Sequence, residues 1–130
     1  MQAWDVEMQR RTTAFANAIL DSVDRLPSTR SSNIIANQVG RSATSVMANH
    51  AESARPKSVA DKIAKQGTGL QELQETRAWL VLLQQRGYLD EALANQLIGE
   101  NDERIGGFTR GAGRFARADT RPCARPPGGR

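Results

Sequence analysis

The sequence has few of the residues that anchor a core or build a reactive centre. Its 130 residues include one cysteine, one histidine, two tryptophans, one tyrosine and three phenylalanines. A single cysteine cannot form an intramolecular disulfide, and one histidine is a poor basis for a transition-metal site. We therefore expect neither a disulfide scaffold nor a metal centre. With so few aromatic residues, burial has to come mainly from aliphatic side chains.

Long apolar runs are also lacking. The longest run of large apolar side chains is residues 79–83, far below the roughly 20 residues that cross a bilayer. The first residues have neither a basic start nor an apolar segment of the kind that directs secretion. No stretch alternates Val, Ile, Thr and aromatics as strands do. We therefore expect an all-α, cytoplasmic protein.

Apolar residues instead recur at helical spacing in four stretches, each bounded by start and stop signals. The predicted N-caps of the last three helices are Ser31 or Ser32, Ser58 and Asp90. The predicted stops are Leu26-Pro27, Pro56, Gly87 and Gly106-Gly107. Short connections favour antiparallel neighbours, so residues 1–108 are predicted to form an antiparallel up-down-up-down four-helix bundle.

The C-terminal residues 109–130 differ from the rest in composition. They hold six arginines, four of the 11 glycines and three of the five prolines. Such a segment buries too little apolar surface to offset the entropy lost on ordering. We expect a disordered basic tail, preceded at most by a frayed continuation of the fourth helix.

The net charge of +4 is unevenly distributed. Residues 1–105 hold 12 basic and 13 acidic side chains, whereas residues 106–130 hold six arginines and one aspartate. Within the bundle, residues 25–65 carry +5, residues 1–24 carry −2 and residues 66–105 carry −4. A basic band and a basic tail suggest an anionic partner such as nucleic acid.

The candidate phosphate-binding residues come from this band and from the tail. They are Arg30, Arg55, Lys57, Lys62, Lys65, Arg110, Arg114 and Arg117. Phosphate contacts are independent of base sequence and weaken as salt rises. Two interpretations stay open, since the band is either such a surface or a set of solvated cations paired with acids of neighbouring helices. The tail likewise either adds phosphate contacts or has little role.

No catalytic constellation is visible. His50 and Glu52 are two positions apart, which places them on different sides of a helix. Gly67-Thr68-Gly69 lacks the Gly-Lys-Ser/Thr that would complete a phosphate loop. We expect His50 to be an interior or interface residue, and we expect no enzymatic activity, cofactor or metal.

The order of motifs resembles a known family. The segments that carry the resemblance lie between Ala14 and Ile105, and the most specific is residues 41–49, Arg-Ser-Ala-Thr-Ser-Val-Met-Ala-Asn. Others are Phe15-Ala16, Leu26-Pro27, Lys62-Ile63-Ala64, residues 69–73, Glu75-Thr76-Arg77 and Trp79-Leu80. They resemble the small four-helix-bundle proteins encoded by intervening sequences of bacterial 23S ribosomal RNA genes, which are similar to the accessory variability determinant proteins of diversity-generating retroelements.

The resemblance implies a homopentameric, non-enzymatic bundle that, in the retroelement branch, binds nucleic acid and a reverse transcriptase. It also implies that Arg41, Ser42, Ser45 and Asn49 serve packing or the oligomer interface. We expect a homo-oligomer, a pentamer on this resemblance, that associates with nucleic acid, RNA above all, through its basic residues. The alternative is a protein-protein assembly adaptor, such as an accessory subunit of a retroelement reverse transcriptase, without direct nucleic-acid binding.

Overall fold

The computed structural model describes the backbone of residues 2–119 and the side chains of residues 2–110. This part of the chain forms four helices and no strand: α1 (Ala3–Asp24), α2 (Arg30–Ser53), α3 (Val59–Gln85) and α4 (Glu91–Asp119). Sequential helices pack side by side and α4 returns to α1, while the backbones of the diagonal pairs α1/α3 and α2/α4 do not approach each other closely. The antiparallel up-down-up-down bundle is therefore confirmed.

The helix ends follow from local chemistry. Ser58 and Asp90 are N-caps as predicted, each accepting a hydrogen bond from the amide three residues on, at 3.0 and 3.3 Å. Gly87 ends α3 with a φ of 69°, and the amide of Tyr88 donates to the Leu83 carbonyl at 3.0 Å.

The start of α2 differs from the prediction. Thr29, not Ser31 or Ser32, is the N-cap, and its hydroxyl accepts from the Ser32 amide at 3.2 Å. The Ser32 hydroxyl accepts in turn from the Thr29 amide at 3.0 Å. This reciprocal capping box makes Ser32 the third residue of the helix rather than its cap.

The fourth helix does not end at Gly106-Gly107, and that prediction was wrong. α4 continues to Asp119, and Phe108 is fully buried. A Cβ at Gly107 would lie 3.3 Å from Met8 Cε, so this glycine lets α1 approach α4 closely. The continuation covers residues 109–119 of the predicted tail, whereas residues 120–130 lie outside the described residues.

The core is aliphatic with two phenylalanines. Its most deeply buried apolar residues are Phe15, Ala16, Ile19, Val39, Ala43, Val46, Leu73, Leu80, Leu83, Ala94, Leu97 and Phe108. The interface between α2 and α3 is the most extensive and that between α1 and α4 the smallest. His50 is fully buried, as predicted for an interior residue.

The antiparallel order gives the bundle two distinct ends. The α2–α3 end carries residues 54–58, the N-terminus of α1 and the part of α4 around Phe108. The far end carries residues 25–29, between α1 and α2, and residues 86–90, between α3 and α4. Candidate residues that are distant in sequence therefore meet at one end or lie at opposite ends.

Candidate nucleic-acid interface

Three of the predicted phosphate-binding residues come together at the α2–α3 end. Arg55 and Lys57 follow the last turn of α2, and Lys65 lies in the second turn of α3. Together with Glu52 and Asp61 they line an open groove of about 550 Å³. Arg55, Lys57 and Lys65 are called the basic corner below.

The acids of the groove neutralise only part of the basic corner. Lys65 Nζ lies 2.7 Å from Glu52 Oε2, and this hydrogen bond and charge raise the pKa of Lys65. The Asp61 carboxylate accepts from the backbone amide of Lys57 at 3.1 Å. No described residue forms an ion pair with the side chain of Arg55 or Lys57. Two cations are therefore available to an anion, and the third is shared with Glu52.

Lys62 does not belong to this surface. It is only 8 % exposed, and its ammonium lies 3.2 Å from one carboxylate oxygen of Asp5, which is itself buried. Its ammonium faces inward, so Lys62 is not part of the basic corner, and its predicted phosphate contact stays a prediction. Sequence reasoning missed Asp5, since a pair separated by 57 positions leaves no local signal.

Arg30 is separated from the basic corner. It is the first residue of α2, whose 24 residues span about 36 Å at 1.5 Å per residue. Its neighbourhood is the far end, where the hydroxyls of Ser31 and Tyr88 share a hydrogen bond of 2.5 Å and Arg86 Nη2 donates to the Tyr88 hydroxyl at 3.0 Å. These contacts, Ser31 first and Arg86 second, lower the pKa of Tyr88 to about 8.

The tail arginines are only partly within the described structure. Arg110 is exposed and lines a groove of about 240 Å³ with Trp4 and Glu7, on the α1–α4 side of the same end as the basic corner. The side chains of Arg114 and Arg117 lie outside the described residues. Their predicted role stays a prediction.

Two residues of the motif at 41–49 connect α2 to α3. The Arg41 guanidinium donates to Glu75 and, at 3.4 Å, to Glu72, and these contacts, Glu75 first, raise its pKa. Ser42 is fully buried, and its hydroxyl shares a 2.7 Å hydrogen bond with that of Thr76. Arg41 and Ser42 thus fix α2 against α3 within one chain.

Ser45 and Asn49 make their described contacts within α2. The Asn49 amide donates to the Ser45 carbonyl at 2.9 Å, one turn earlier. Asn49 thus donates within its own helix, and it makes no hydrogen bond to another helix in the part of the chain that the structure describes. Whether Ser45 and Asn49 meet another subunit stays a prediction.

A second groove, of about 510 Å³, runs between α1 and α4. Arg10, Arg11 and Arg104 line it, but so do Glu100 and Glu103. Both α1 arginines are also bound to Glu7, at 2.7 and 2.6 Å. Its charges are mixed and largely paired, so it is a poorer anion site than the basic corner.

Metal-binding clusters and membrane-spanning helices are both absent from the described residues. No group of three or more histidine, cysteine, aspartate or glutamate side chains is placed to hold a metal ion there. None of the described helices is long and apolar enough to cross a membrane. What distinguishes the molecule is thus a four-helix bundle with a cluster of cations at one end.

The comparisons with known proteins agree with this class. The family model for the 23S rRNA-intervening sequence protein matches residues 5–106, so the chain belongs to that family. A solved structure of a protein of unknown function from the S23 ribosomal protein family of Bacteroides thetaiotaomicron VPI-5482 is similar, with 25 % identity and a TM-score of 0.79. The match covers 85 % of this chain and 98 % of that one. No curated protein matches.

Proposed function

We propose that this protein is a non-enzymatic, homo-oligomeric four-helix bundle that associates with nucleic acid, above all RNA, through the basic corner. The observation that carries the proposal is the position of Arg55, Lys57 and Lys65 around one open groove, with two of the three lacking a charged partner among residues 2–110. Cations in this arrangement suit a phosphate backbone, which is recognised by charge without base contacts.

The absence of catalysis is part of the proposal. It is supported by the surroundings of the sole histidine, which is fully buried. Its Nε2 donates to the Asp5 backbone carbonyl at 3.0 Å, so the ring does not face a cleft. A general base has to reach a substrate proton, and His50 cannot do so in this position.

Oligomerisation is supported by apolar side chains that the single chain leaves in solvent. Ile34 is 62 % and Leu20 is 41 % exposed, on α2 and α1. Burying such residues against another copy would remove apolar area from water. A pentamer, the number implied by the family resemblance, would repeat the basic corner five times and multiply weak phosphate contacts. Light scattering on the purified protein tests the number of subunits against the 14.2 kDa chain.

The salt dependence of RNA binding tests the role of the basic corner. We expect a labelled RNA hairpin to bind at about 50 mM salt and to dissociate as salt rises to about 200 mM. In R55Q/K57Q/K65Q the slope of log K against log salt should flatten by about two or more, because each lost phosphate contact removes about 0.7–0.9. Fluorescence anisotropy measures both quantities.

The matched control removes the same charge elsewhere. R25Q/R77Q/R86Q replaces three exposed arginines outside the basic corner and should keep most of the wild-type slope. Equal loss in the two triple variants would mean that only net charge matters. Absence of RNA binding by the wild-type protein at low salt would rule out the proposed function.

A second candidate function is that of a protein-protein adaptor, such as an accessory subunit of a reverse transcriptase. The exposed Leu20 and Ile34 favour it, since they offer apolar contact area to another protein as well as to another copy. A partner that co-purifies after nuclease treatment and is lost in L20S/I34S would favour this alternative.

A further inference from the structure

All four helices meet at one buried cluster at the α2–α3 end. His50 of α2 donates from Nε2 to the backbone carbonyl of Asp5 in α1, and the Asp5 carboxylate binds Lys62 of α3 at 3.2 and 3.4 Å. The Trp4 and Phe108 rings, from α1 and α4, pack in T-shaped arrangements with the imidazole, at 5.5 and 5.8 Å between centroids. The first turn of α1 is thus held against α2 by His50 and against α3 by Lys62.

The imidazole is held in its neutral form. Because a carbonyl can only accept, Nε2 carries the proton, and Nδ1 is a buried acceptor without a partner among the described residues. A proton on Nδ1 would create a buried charge and a donor with no acceptor. Burial is the main cause that lowers the pKa of His50 from its ordinary 6.5.

The charged groups that face the ring are few in the described structure. From α1 comes the Asp5 carboxylate, which favours the imidazolium, and from α3 comes the Lys62 ammonium, which opposes it. α4 contributes the uncharged ring of Phe108. The Asp5 carboxylate is already paired with the Lys62 ammonium. It therefore does not fully offset the charge of a protonated His50 as well.

We propose that His50, Asp5 and Lys62 form an acid-sensitive latch: protonation of His50 releases the first turn of α1 and exposes Lys62 to the basic corner. Lys62 precedes Lys65 by three residues on α3, and side chains with this spacing are neighbours on a helix surface. Once Asp5 leaves, the Lys62 ammonium can join Lys65 as a phosphate ligand. The acid-sensitive release of α1 does not depend on RNA binding, whereas the gain of Lys62 as a phosphate ligand rests on the proposed function.

The pH range follows from the direction of the shift. The folded-state pKa of His50 is depressed, so neutral His50 stabilises the closed latch above the ordinary value of 6.5. That stabilisation is lost as pH falls from 6.5 through the lower pKa of the closed state. Within this window, the equilibrium constant for closure should fall by up to about tenfold per pH unit.

Trp4 and His50 are suitable reporters because the chain has two tryptophans and one histidine. In W79F the remaining Trp4 should shift its emission to the red between about pH 7 and 5, while far-UV circular dichroism keeps most of its helical signal. The imidazole Cε1–H resonance should titrate together with the Trp4 emission, with a midpoint below pH 6.5. H50Q keeps a donor to Asp5 but cannot take up a proton, so it should show no Trp4 transition.

The RNA arm uses the same hairpin at one salt concentration. Wild-type affinity should rise more between about pH 7 and 5 than that of H50Q, because only the wild type exposes Lys62. D5N/K62M keeps His50 but lacks the ammonium, so it should gain no more RNA affinity than H50Q.

A steady Trp4 emission in W79F, or a Trp4 transition that survives in H50Q/W79F, would overturn the latch. A Trp4 transition with no extra gain in wild-type RNA affinity would overturn the role of Lys62. If RNA does not bind at any pH, the proposed function and the role of Lys62 fail together, and the emission still decides the latch.

Discussion

K62A should lower the free energy of unfolding by about 3 kcal/mol, because it leaves the Asp5 carboxylate buried without its cation. The Asp5 side chain is 1 % exposed and that of Lys62 is 10 % exposed, so water cannot readily replace the ammonium. Urea denaturation followed by circular dichroism measures the change, with an unaltered m-value showing that the two-state comparison holds.

Two further variants separate loss of the pair from loss of a lysine. K65A removes an exposed cation bound to an exposed Glu52, and should cost no more than about 1 kcal/mol. D5N/K62M leaves no unpaired charge and should recover part of the stability lost in K62A. Equal costs for K62A and K65A would contradict the buried position of Lys62.

F108A should cost about 3–5 kcal/mol, the range for a fully buried phenylalanine. Its ring packs on His50 and against α3 at Gly69, where an added Cβ would lie 2.6 Å from Phe108 Cε1. If α4 ended at Gly106-Gly107 and the next residues were solvated, F108A would cost almost nothing. Denaturant unfolding distinguishes the two cases.

A double-mutant cycle shows whether Phe108 and Gly69 are in contact. G69A should cost about 1–3 kcal/mol alone because the Phe108 ring has to move. In the F108A background the added methyl fills free space, so the cost of G69A should shrink. G67A is the matched control, since nothing lies within 4 Å of a Cβ there and the substitution should stabilise α3 by up to about 1 kcal/mol. Equal effects of G69A and G67A would contradict this packing.

The helices and their order could be predicted from the sequence because they depend on local patterns. The apolar spacing, Ser58, Asp90 and Gly87 act within a turn or two, and the structure agrees with each of them. Family membership could also be anticipated from residues 41–49, and the family model that matches residues 5–106 confirms it.

The failures concern residues whose role depends on distant partners. Gly107 looks like a helix terminator by itself, and only the approach of Met8 shows why glycine lies there within a helix. Lys62 looks like one of several surface lysines, yet helical rotation turns it toward Asp5 while Lys65 stays partly exposed. No pattern within one helix distinguishes these two lysines.

The sequence could predict that the candidate site consists of basic residues, but not which of them lie together. The basic band of residues 25–65 spans a whole helix and both of its ends, so its net charge of +5 does not describe one surface. Folding places Arg30 at the far end and brings Arg55, Lys57 and Lys65 together at the other. The proposal of an anionic partner therefore rests on one corner rather than on the bulk charge.

The location of RNA contact is the most direct test of this account. Amide chemical shifts of the ¹⁵N-labelled protein, recorded while the RNA hairpin is added, report which residues the RNA reaches. We predict that the changes concentrate at residues 52–65 and leave residues 77–98 nearly unaffected. Changes centred on Arg30 and Arg86, or spread evenly over the exposed cations, would contradict the claim that the basic corner binds nucleic acid.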